Sequence, residues 1–374
     1  MATGAGLEGI VATQSRLCYI DGDAGILSYQ GFRIETLAEN ATFEETIFLL
    51  WNGRLPKAAE LADLKAQLVA NRDLPAQVEA FLKANPKGSP MHVLRTAVSM
   101  LAFDDADANN VTVPEARKKA IRLMAQTATI VTSFDRLRNG KDVVKGDPSL
   151  SFAGNFLYTL NGKQPDEVME RVLDVALILH AEHELNASTF AARVTAATLS
   201  DIYSAVTSAI GALRGPLHGG ANEDVIKLLL KAGTADNALV MVKDMLANKV
   251  KVPGMGHRVY HTLDPRAISL KGMAEDLSKR TGHEELYKAS TVIQNYVKET
   301  KNLNANVDFF SASMYYSLGI PVDLFTPVFA VSRIDAAKRT EYLVAFNNSA
   351  KSMSVRFQTS SPLTSFKGVY NGTS

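Results

Sequence analysis

The amino-acid sequence predicts an all-α fold, and two observations lead to that prediction. Long segments are rich in Ala, Leu, Glu, Lys and Gln, and their apolar residues recur at steps of three and four, the spacing of one helix face. Alternating runs of β-branched residues are scarce. Nearly half of the 374 residues are apolar, enough for the core of one large domain or of two unequal ones. The clearest helical segments are 58–70, 75–84, 114–138, 166–184 and 237–248.

Two segments interrupt this helical pattern. Residues 17–28 contain CYIDGDAGIL, whose Gly and Asp residues mark tight turns, and they predict short strands. The polar stretch DDADANNVT at 104–112 predicts a surface loop.

Several helix ends follow from capping chemistry. Gly and Pro end helices, whereas Asp or Asn before the first turn accepts hydrogen bonds from free backbone N–H groups. The ends predicted in this way are Gly215 and Pro216 after a helix over 202–213, Asp264 and Pro265 at a helix start, Asn306 before a helix from Val307, and Gly319 with Pro321 after it.

Charge and cysteine content limit the functional classes. With 40 basic and 39 acidic residues, the net charge of +1 does not predict a nucleic-acid partner. The single cysteine, Cys18, cannot form an intrachain disulfide, and we interpret it as a small buried apolar residue in a reducing compartment. No signal peptide or membrane-length apolar run is recognisable, so we expect a cytoplasmic protein without a membrane partner.

The first candidate catalytic segment is GPLHGGAN at 215–222. His218 follows a helix breaker and precedes two glycines, which allow a substrate to approach the backbone. A helix N-terminus disfavours a protonated histidine, and a neutral imidazole can polarise a carbonyl by donating a hydrogen bond. The same pattern is also typical of a turn histidine that only caps a helix.

The second candidate segment is KVPGMGHRVY at 251–260, whose Pro and Gly residues predict an irregular, mobile loop. His257 and Arg258 follow the loop, and Arg266 is expected in the first turn of the next helix. An arginine there can hold a carboxylate through two parallel hydrogen bonds. A surface loop with solvated charges is the alternative interpretation.

The third candidate segment is NVDFFSAS at 306–313. The helix dipole is expected to favour the carboxylate form of Asp308, and Phe309 and Phe310 are expected to exclude water from it. A partly desolvated carboxylate is a plausible base for a carbon acid. An acidic residue at a helix start is also common without any function.

A fourth segment, HAEHELNAS at 180–188, contains His180 and His183, which are expected to share one helix face. The order is not HExxH, and no third ligand is obviously spaced, so a metal site is disfavoured. A hydrogen bond from one of these histidines to a polar ligand is the favoured interpretation.

In this order, the four segments resemble the citrate synthase family in its shorter bacterial and archaeal form. The resemblance runs from about Gly6 to Arg333, and the ordered combination is specific although each motif alone is weak. The matching stretches are HAEHELNASTFAARV, GPLHGGANEDV, PGMGHRVYHTLDPRA and NVDFFSASMYYSLGIPVDLFTPVFAVSR, with weaker matches in GLEGIVATQSRLCYIDGDAGILSYQGFRIETLA, FEETIFLLWNGRLP and MHVLRTAVSML.

The resemblance implies roles for individual residues. Asp308 would remove a methyl proton from acetyl-CoA, His218 would hydrogen-bond the thioester oxygen, and His257 would hydrogen-bond the keto oxygen of oxaloacetate. Hydrolysis of citryl-CoA would release citrate and CoA, with CoA serving as co-substrate and with no permanently bound cofactor or metal. The implied oxaloacetate-binding residues are His183, Arg266 and Arg333, and the implied CoA-binding residues are Pro253, Gly254, Met255, Gly256 and His261.

The resemblance also implies a two-domain architecture and a homodimer. A large helical domain would comprise residues 1–219 and the C-terminal part 320–374, and a smaller domain would be inserted at 220–319. The active site would lie between them, and each site would borrow residues from the partner subunit.

Two features depart from the family pattern. His261 stands where the family usually has a lysine that meets a CoA phosphate, and histidine is shorter and only partly charged at neutral pH. The chain has no Arg-Pro pair to supply the family's C-terminal arginine, which crosses the subunit boundary to a substrate carboxylate; Arg339 and Arg356 are candidates to replace it. Losing one charge-assisted pair typically costs about 1.5–3 kcal/mol.

Three other functions are compatible with the sequence. A 2-methylcitrate synthase would take propionyl-CoA, and one methylene is usually worth only about 1–3 kcal/mol in an apolar pocket. The divergent C-terminal segment is compatible with a catalytically silent homologue that binds CoA or serves as a helical scaffold. A metal-dependent hydrolase would use His180 and His183.

Overall fold

The computed structural model of the protein describes residues 15–216 and 218–334. In these residues sixteen α-helices and one small sheet are present, which confirms the all-α prediction. The first eight helices are α1 Ile34–Asn40, α2 Phe43–Asn52, α3 Ala58–Ala70, α4 Ala76–Ala84, α5 Pro90–Met100, α6 Val113–Arg138, α7 Phe152–Asn161 and α8 Glu167–Ala181. The other eight are α9 Ala187–Ala197, α10 Ile202–Leu213, α11 Ala221–Ala232, α12 Ala235–Ala247, α13 Pro265–Thr281, α14 Glu284–Lys301, α15 Val307–Ser317 and α16 Phe325–Arg333.

The predicted short strands form an antiparallel sheet that precedes α1. Its strands are β1 Cys18–Asp21, β2 Ile26–Tyr29 and β3 Phe32–Arg33, in the order β1-β2-β3. Cys18 is only partly buried and is hydrogen-bonded, since its sulfur accepts from the Glu184 backbone N–H at 3.2 Å. It is therefore not the plain apolar residue that we expected.

The capping predictions agree with the structure. The Asp264 side chain accepts from the Arg266 backbone N–H and begins α13, and Asn306 accepts from the Asp308 N–H and begins α15. Beyond α15, Gly319 adopts a φ of 77°, in the left-handed region that glycine tolerates. These ends depend on residues close in sequence, which is why capping rules locate them.

Helix α8 lies at the centre of the core, where it packs against α1, α2, α7, α13, α15 and α16. The prediction of a helix over 166–184 is three residues too long, because α8 ends at Ala181 and Glu182 is extended. The buried Tyr29 hydroxyl lies within hydrogen-bonding distance of the carbonyl oxygens of Ile178 and Glu182, at 3.1 and 2.9 Å. This cap comes from β2, so the local sequence of α8 does not reveal it.

Helices α11 to α15 pack largely on one another. Within this group α13 and α15 also contact α8, and α11 contacts α16. The candidate segments lie where the group meets the rest of the protein, at the starts of α11, α13 and α15. No helix in the described part of the chain is long and apolar enough to cross a membrane.

Candidate active site

His257 is held as a neutral hydrogen-bond donor by the loop that follows it. Its Nδ1 accepts from the backbone N–H groups of Val259 and Tyr260, at 3.0 and 3.1 Å. Backbone N–H groups can only donate, so the ring proton of the neutral imidazole is on Nε2. Burial, and then the positive charge of Arg266, lowers the pKa of His257 to about 4. At neutral pH the free Nε2–H can therefore donate to a ligand.

His183 and Tyr260 complete an aromatic wall with His257. The His183 ring lies edge-on to that of His257, with 5.3 Å between centroids, and its Nε2 is 3.3 Å from the Tyr260 hydroxyl. Burial, followed by Arg266 and Arg333, holds the pKa of His183 well below its usual value. Because α8 ends before His183, this residue does not share a helix face with His180, contrary to the sequence prediction.

His180 instead belongs to the core. Its side chain is fully buried, and Nδ1 is 2.7 Å from the Ala176 carbonyl oxygen one turn earlier. Its own backbone carbonyl accepts a hydrogen bond from Arg333 Nε at 2.8 Å. In the described residues, no group of three or more His, Cys, Asp or Glu side chains is arranged to hold a metal ion.

Arg266 carries a buried positive charge that is fixed by Asp264. Its Nε and Nη2 donate to the two carboxylate oxygens at 3.0 and 2.8 Å. Burial alone would lower the pKa of Arg266, but the contact with Asp264 outweighs burial and raises it. Asp264 also accepts from the Val307 backbone N–H at 3.1 Å, so one carboxylate joins α13 to the start of α15.

Arg333 supplies a second positive charge. Its guanidinium carbon lies 4.3 Å from the centroid of the Phe329 ring. Burial lowers the pKa of Arg333 to about 10, so the group stays protonated at neutral pH. No carboxylate of residues 15–216 and 218–334 forms an ion pair with it, which leaves both Nη groups suited to an anionic ligand.

His218 is oriented by Ser188 at the start of α9. The Ser188 backbone N–H donates to His218 Nε2 at 3.3 Å, and the Ser188 hydroxyl oxygen lies 2.9 Å from the same nitrogen. Since the backbone N–H can only donate, we assign Nε2 as the acceptor and place the ring proton on Nδ1. Burial and then Arg333 lower the pKa of His218 to about 4, so the expected neutral form results mainly from burial.

Asp308 lies in the first turn of α15, as predicted, but its charge is not stabilised in the expected direction. Burial raises the pKa of Asp308 to about 6, against the opposing effects of Arg266 and Arg333. The neighbouring Phe309 and Phe310 are fully buried, which fits the predicted exclusion of water. At pH 7 the group is mostly a carboxylate with a raised proton affinity, the property of an effective base.

The loop over residues 253–256 lies directly beside the start of α15. The Gly256 N–H donates to the Asn304 carbonyl at 2.7 Å, and Met255 pairs with Ala305 as an isolated β-bridge. Gly254 has a φ of 72°, and an added Cβ would lie 2.9 Å from the Phe309 ring. Glycine is therefore required at this position if the loop is to approach α15 so closely.

His261 differs from the buried candidate residues because its side chain is exposed to solvent. Its side chain is 72% exposed, and Nδ1 lies 2.7 Å from Asp23 Oδ1 in the β1–β2 turn. The same turn also approaches the backbone near His257, because an added Cβ on Gly22 would lie 1.9 Å from the Val259 carbonyl oxygen. The loop that contains His257 is thus packed on the turn of the N-terminal hairpin.

Sequence reasoning did not identify three residues of this site. Two of them could have been found from weak sequence signals. Tyr260 lies three positions after His257, and Phe329 lies one helical turn before Arg333. The Phe329 ring contacts both Arg333 and the edge of His218, whose centroid is 6.4 Å away. Ser188 gives no local signal, because it meets His218 across thirty residues.

Comparison with known proteins agrees with the fold. The family model described as "Citrate synthase, C-terminal domain" matches residues 6–337. Citrate synthase of Haloferax volcanii is 49% identical over 88% of each chain, and citrate synthase 2 of Bacillus subtilis is 49% identical over 89% of this chain and 90% of its own. The 2-methylcitrate synthase of Shewanella oneidensis is 41% identical over 89% of this chain and 88% of its own.

Solved structures of the same kind superpose closely. Citrate synthase from Pyrobaculum aerophilum is 37% identical, with a TM-score of 0.87 over 96% of this chain and 94% of its own. A ternary complex of Thermoplasma acidophilum citrate synthase with carboxymethyl coenzyme A and oxaloacetate is 29% identical, with a TM-score of 0.86 over 95% of this chain and 96% of its own. By its family model, its relatives and its fold, the chain belongs to the citrate synthase family, and it is a transferase.

Proposed function

We propose that the protein is a citrate synthase, which condenses acetyl-CoA with oxaloacetate and hydrolyses citryl-CoA to citrate and CoA. The observation that carries this proposal is the pairing of chemical types in one buried site. Two neutral imidazoles with a free N–H, His218 and His257, occur with Asp308, a carboxylate of raised pKa. Forming a carbon–carbon bond from a thioester methyl requires one such base and two such donors.

In the first step, Asp308 takes a proton from the methyl group of acetyl-CoA. Electron density moves onto the thioester oxygen, and the Nδ1–H of His218 donates a hydrogen bond to that oxygen. Burial and the positive charge of Arg333 lower the pKa of His218 to about 4. The imidazole is therefore neutral at pH 7 and acts as a neutral hydrogen-bond donor. The product of this step is the enolate of the thioester, stabilised by the hydrogen bond from His218, with the proton held on Asp308.

In the second step, the nucleophilic carbon attacks the keto carbon of oxaloacetate. The Nε2–H of His257 donates to the keto oxygen as negative charge develops on it. His183, Arg266 and Arg333 are proposed to bind the two carboxylates, supported by the buried positive charges and the free Nη groups of Arg333. The alkoxide takes up a proton, equivalent to the one that Asp308 removed, to give citryl-CoA. Water then cleaves its thioester, which yields citrate and free CoA thiol.

The CoA side is proposed to comprise Pro253, Gly254, Met255, Gly256 and His261. The backbone of this loop is close to α15, so CoA bound there would approach Asp308. His261 is the weakest part of this set, since its ring is already bonded to Asp23. We propose CoA as a co-substrate and no permanently bound cofactor.

We further propose the domain division 1–219, 220–319 and 320–374, a homodimer and a cytoplasmic location. The mutual packing of α11 to α15 supports the inserted domain. Exposed apolar side chains on and after α9, Val194 and Leu199, support a subunit contact. The candidate substitutes for the family's C-terminal arginine, Arg339 and Arg356, lie outside the described residues.

A second candidate function is 2-methylcitrate synthase, supported by the 41% identity to a protein of that name. Steady-state assays with acetyl-CoA and propionyl-CoA distinguish the two functions. We expect kcat/KM to be higher with acetyl-CoA, and a clear preference for propionyl-CoA would reassign the substrate.

The overall proposal is tested by release of free thiol from acetyl-CoA in the presence and absence of oxaloacetate. We expect release that depends on oxaloacetate and that persists after exhaustive chelation. No turnover by the intact oligomer would favour the hypothesis of a catalytically silent homologue. Loss of turnover on chelation would favour the hypothesis of a metal-dependent hydrolase.

A further inference from the structure

Asn306 makes three hydrogen bonds that join two parts of the site. Its side-chain Oδ1 accepts from the Asp308 backbone N–H at 3.0 Å, and its Nδ2 donates to the Gly256 carbonyl oxygen at 2.9 Å. Its backbone N–H donates to the Gly254 carbonyl oxygen at 3.0 Å. One amide side chain is therefore shared between the loop over 253–256 and the first turn of α15.

This sharing goes beyond what a helix cap requires. A cap needs only an oxygen acceptor, which Ser, Thr or Asp also supplies. The Nδ2 donor is an additional requirement, and of these cap residues Asn alone has both a carbonyl oxygen and an amide donor. The described structure offers a contrast in Thr234, which caps α12 through its hydroxyl and is exposed.

The two ends of the Asn306 amide hold two different parts of the proposed acetyl-CoA site, the base and the CoA loop. The Oδ1 end fixes the N–H of the residue that we assign as the base. The Nδ2 end fixes the carbonyl of a residue in the proposed CoA loop. The backbone bonds between 254–256 and 304–306 hold the segments side by side, so a shift of either segment is transmitted to the other.

We propose that Asn306 is a positioning residue that sets the distance between the CoA loop and the base Asp308, an inference that rests on the proposed citrate synthase reaction. Its role is assigned through its bonds to Gly256 and Asp308 and not through contact with a substrate. Its cap keeps the Asp308 carboxylate in place for proton removal, and its amide donor keeps the loop in the conformation that binds the acyl-CoA. Small misplacements of a base relative to a carbon acid are costly, which gives this amide a measurable role.

Two substitutions separate the two ends of the amide. Asn306→Ser retains a hydroxyl that can cap α15 but is too short to donate to Gly256 at the same time. We expect KM for acetyl-CoA to rise about five- to tenfold, the value of one lost hydrogen bond, with kcat within about twofold of wild type. Asn306→Ala loses both ends, and we expect the same rise in KM with a further fall in kcat of about tenfold.

The matched control is Thr234→Ala, which removes a cap of the same kind far from the loop. We expect it to lower the melting temperature by no more than Asn306→Ala, which also loses the bond to Gly256, while leaving both kinetic constants unchanged. KM for oxaloacetate should be unchanged in all three variants. The acidic limb of the pH–kcat profile should shift in Asn306→Ala and not in Asn306→Ser.

Three results would overturn the inference. These are an unchanged KM for acetyl-CoA in Asn306→Ser, identical kinetics for the Ser and Ala variants, or an equal kinetic effect in Thr234→Ala. If the wild-type protein releases no thiol, the proposed function fails instead. In that case calorimetric titration with CoA still tests the loop half of the inference, and equal affinity of wild type and Asn306→Ser would overturn that half.

Discussion

Arg266 and His261 come from one short stretch of chain, but their contacts with Asp264 and Asp23 lie in opposite environments. The side chains of Arg266 and Asp264 are 3% and 1% exposed, whereas those of His261 and Asp23 are 72% and 87% exposed. The first pair influences the pKa values of His183, His257 and Asp308. The second contact is exposed to water, where a contact between polar side chains adds little stability.

This difference indicates how the two halves of the site are built. The buried half, which comprises the proposed oxaloacetate-binding residues and the base Asp308, is preorganised because burial fixes charges and ring protons before a ligand arrives. The proposed CoA half depends on backbone hydrogen bonds and on an exposed histidine. We therefore expect substitutions in the buried half to have large effects and those at the exposed pair to have small ones.

The largest effect is expected from Asp308→Ala, which removes the proposed base from the buried half. Loss of a general base typically costs about 10²–10⁴-fold, so thiol release should fall to near the detection limit. Oxaloacetate binding, measured by calorimetry, should be nearly intact because Asp308 is not assigned to it. Retention of most of the turnover would show that another group removes the proton.

The next largest effect is expected from Asp264→Asn, which breaks the buried pair. The amide cannot accept from Arg266 Nη2 and Val307 N–H as the carboxylate does, and an unpaired buried charge costs about 3–5 kcal/mol. The free energy of unfolding, measured with denaturant, should fall by that order, and oxaloacetate should bind more weakly.

The control for this substitution is Glu35→Gln in the exposed pair with Arg33, whose atoms lie 3.3 Å apart. We expect Glu35→Gln to change the free energy of unfolding by less than about 1 kcal/mol. If Asp264→Asn and Glu35→Gln lower the free energy of unfolding equally, burial does not distinguish the Arg266–Asp264 pair from the Arg33–Glu35 pair.

The pH dependence of kcat/KM tests the electrostatics of the buried half. Asp308 must be deprotonated to act, and its pKa is raised to about 6, so activity should fall about tenfold per pH unit below pH 6. His218 and His257 have pKa values lowered to about 4, so they stay mostly neutral between pH 6 and pH 5. A profile that is flat down to pH 5 would contradict the raised pKa.

The smallest effect is expected from Asp23→Asn, which changes the exposed contact with His261. Removing a carboxylate next to His261 lessens repulsion of a CoA phosphate, so KM for acetyl-CoA should fall by no more than about threefold. Stability should change by less than about 0.5 kcal/mol. A large rise in KM would instead make Asp23 a necessary part of the CoA half.

The sequence by itself determined the features that depend on neighbours along the chain. The all-α class, the short strands and the caps at Asp264 and Asn306 follow from residues within a few positions. The ordered motifs identified the family because each residue keeps its place within a quoted segment. These features required no knowledge of what packs against what.

Only the tertiary structure decided the features that depend on distant contacts. Tyr29 ends α8 at Ala181, and Ser188 sets the ring proton of His218, each across many residues of sequence. The direction in which the pKa of Asp308 shifts also depends on distant contacts. A helix start favours the carboxylate, but burial outweighs it, and burial depends on how all the elements pack.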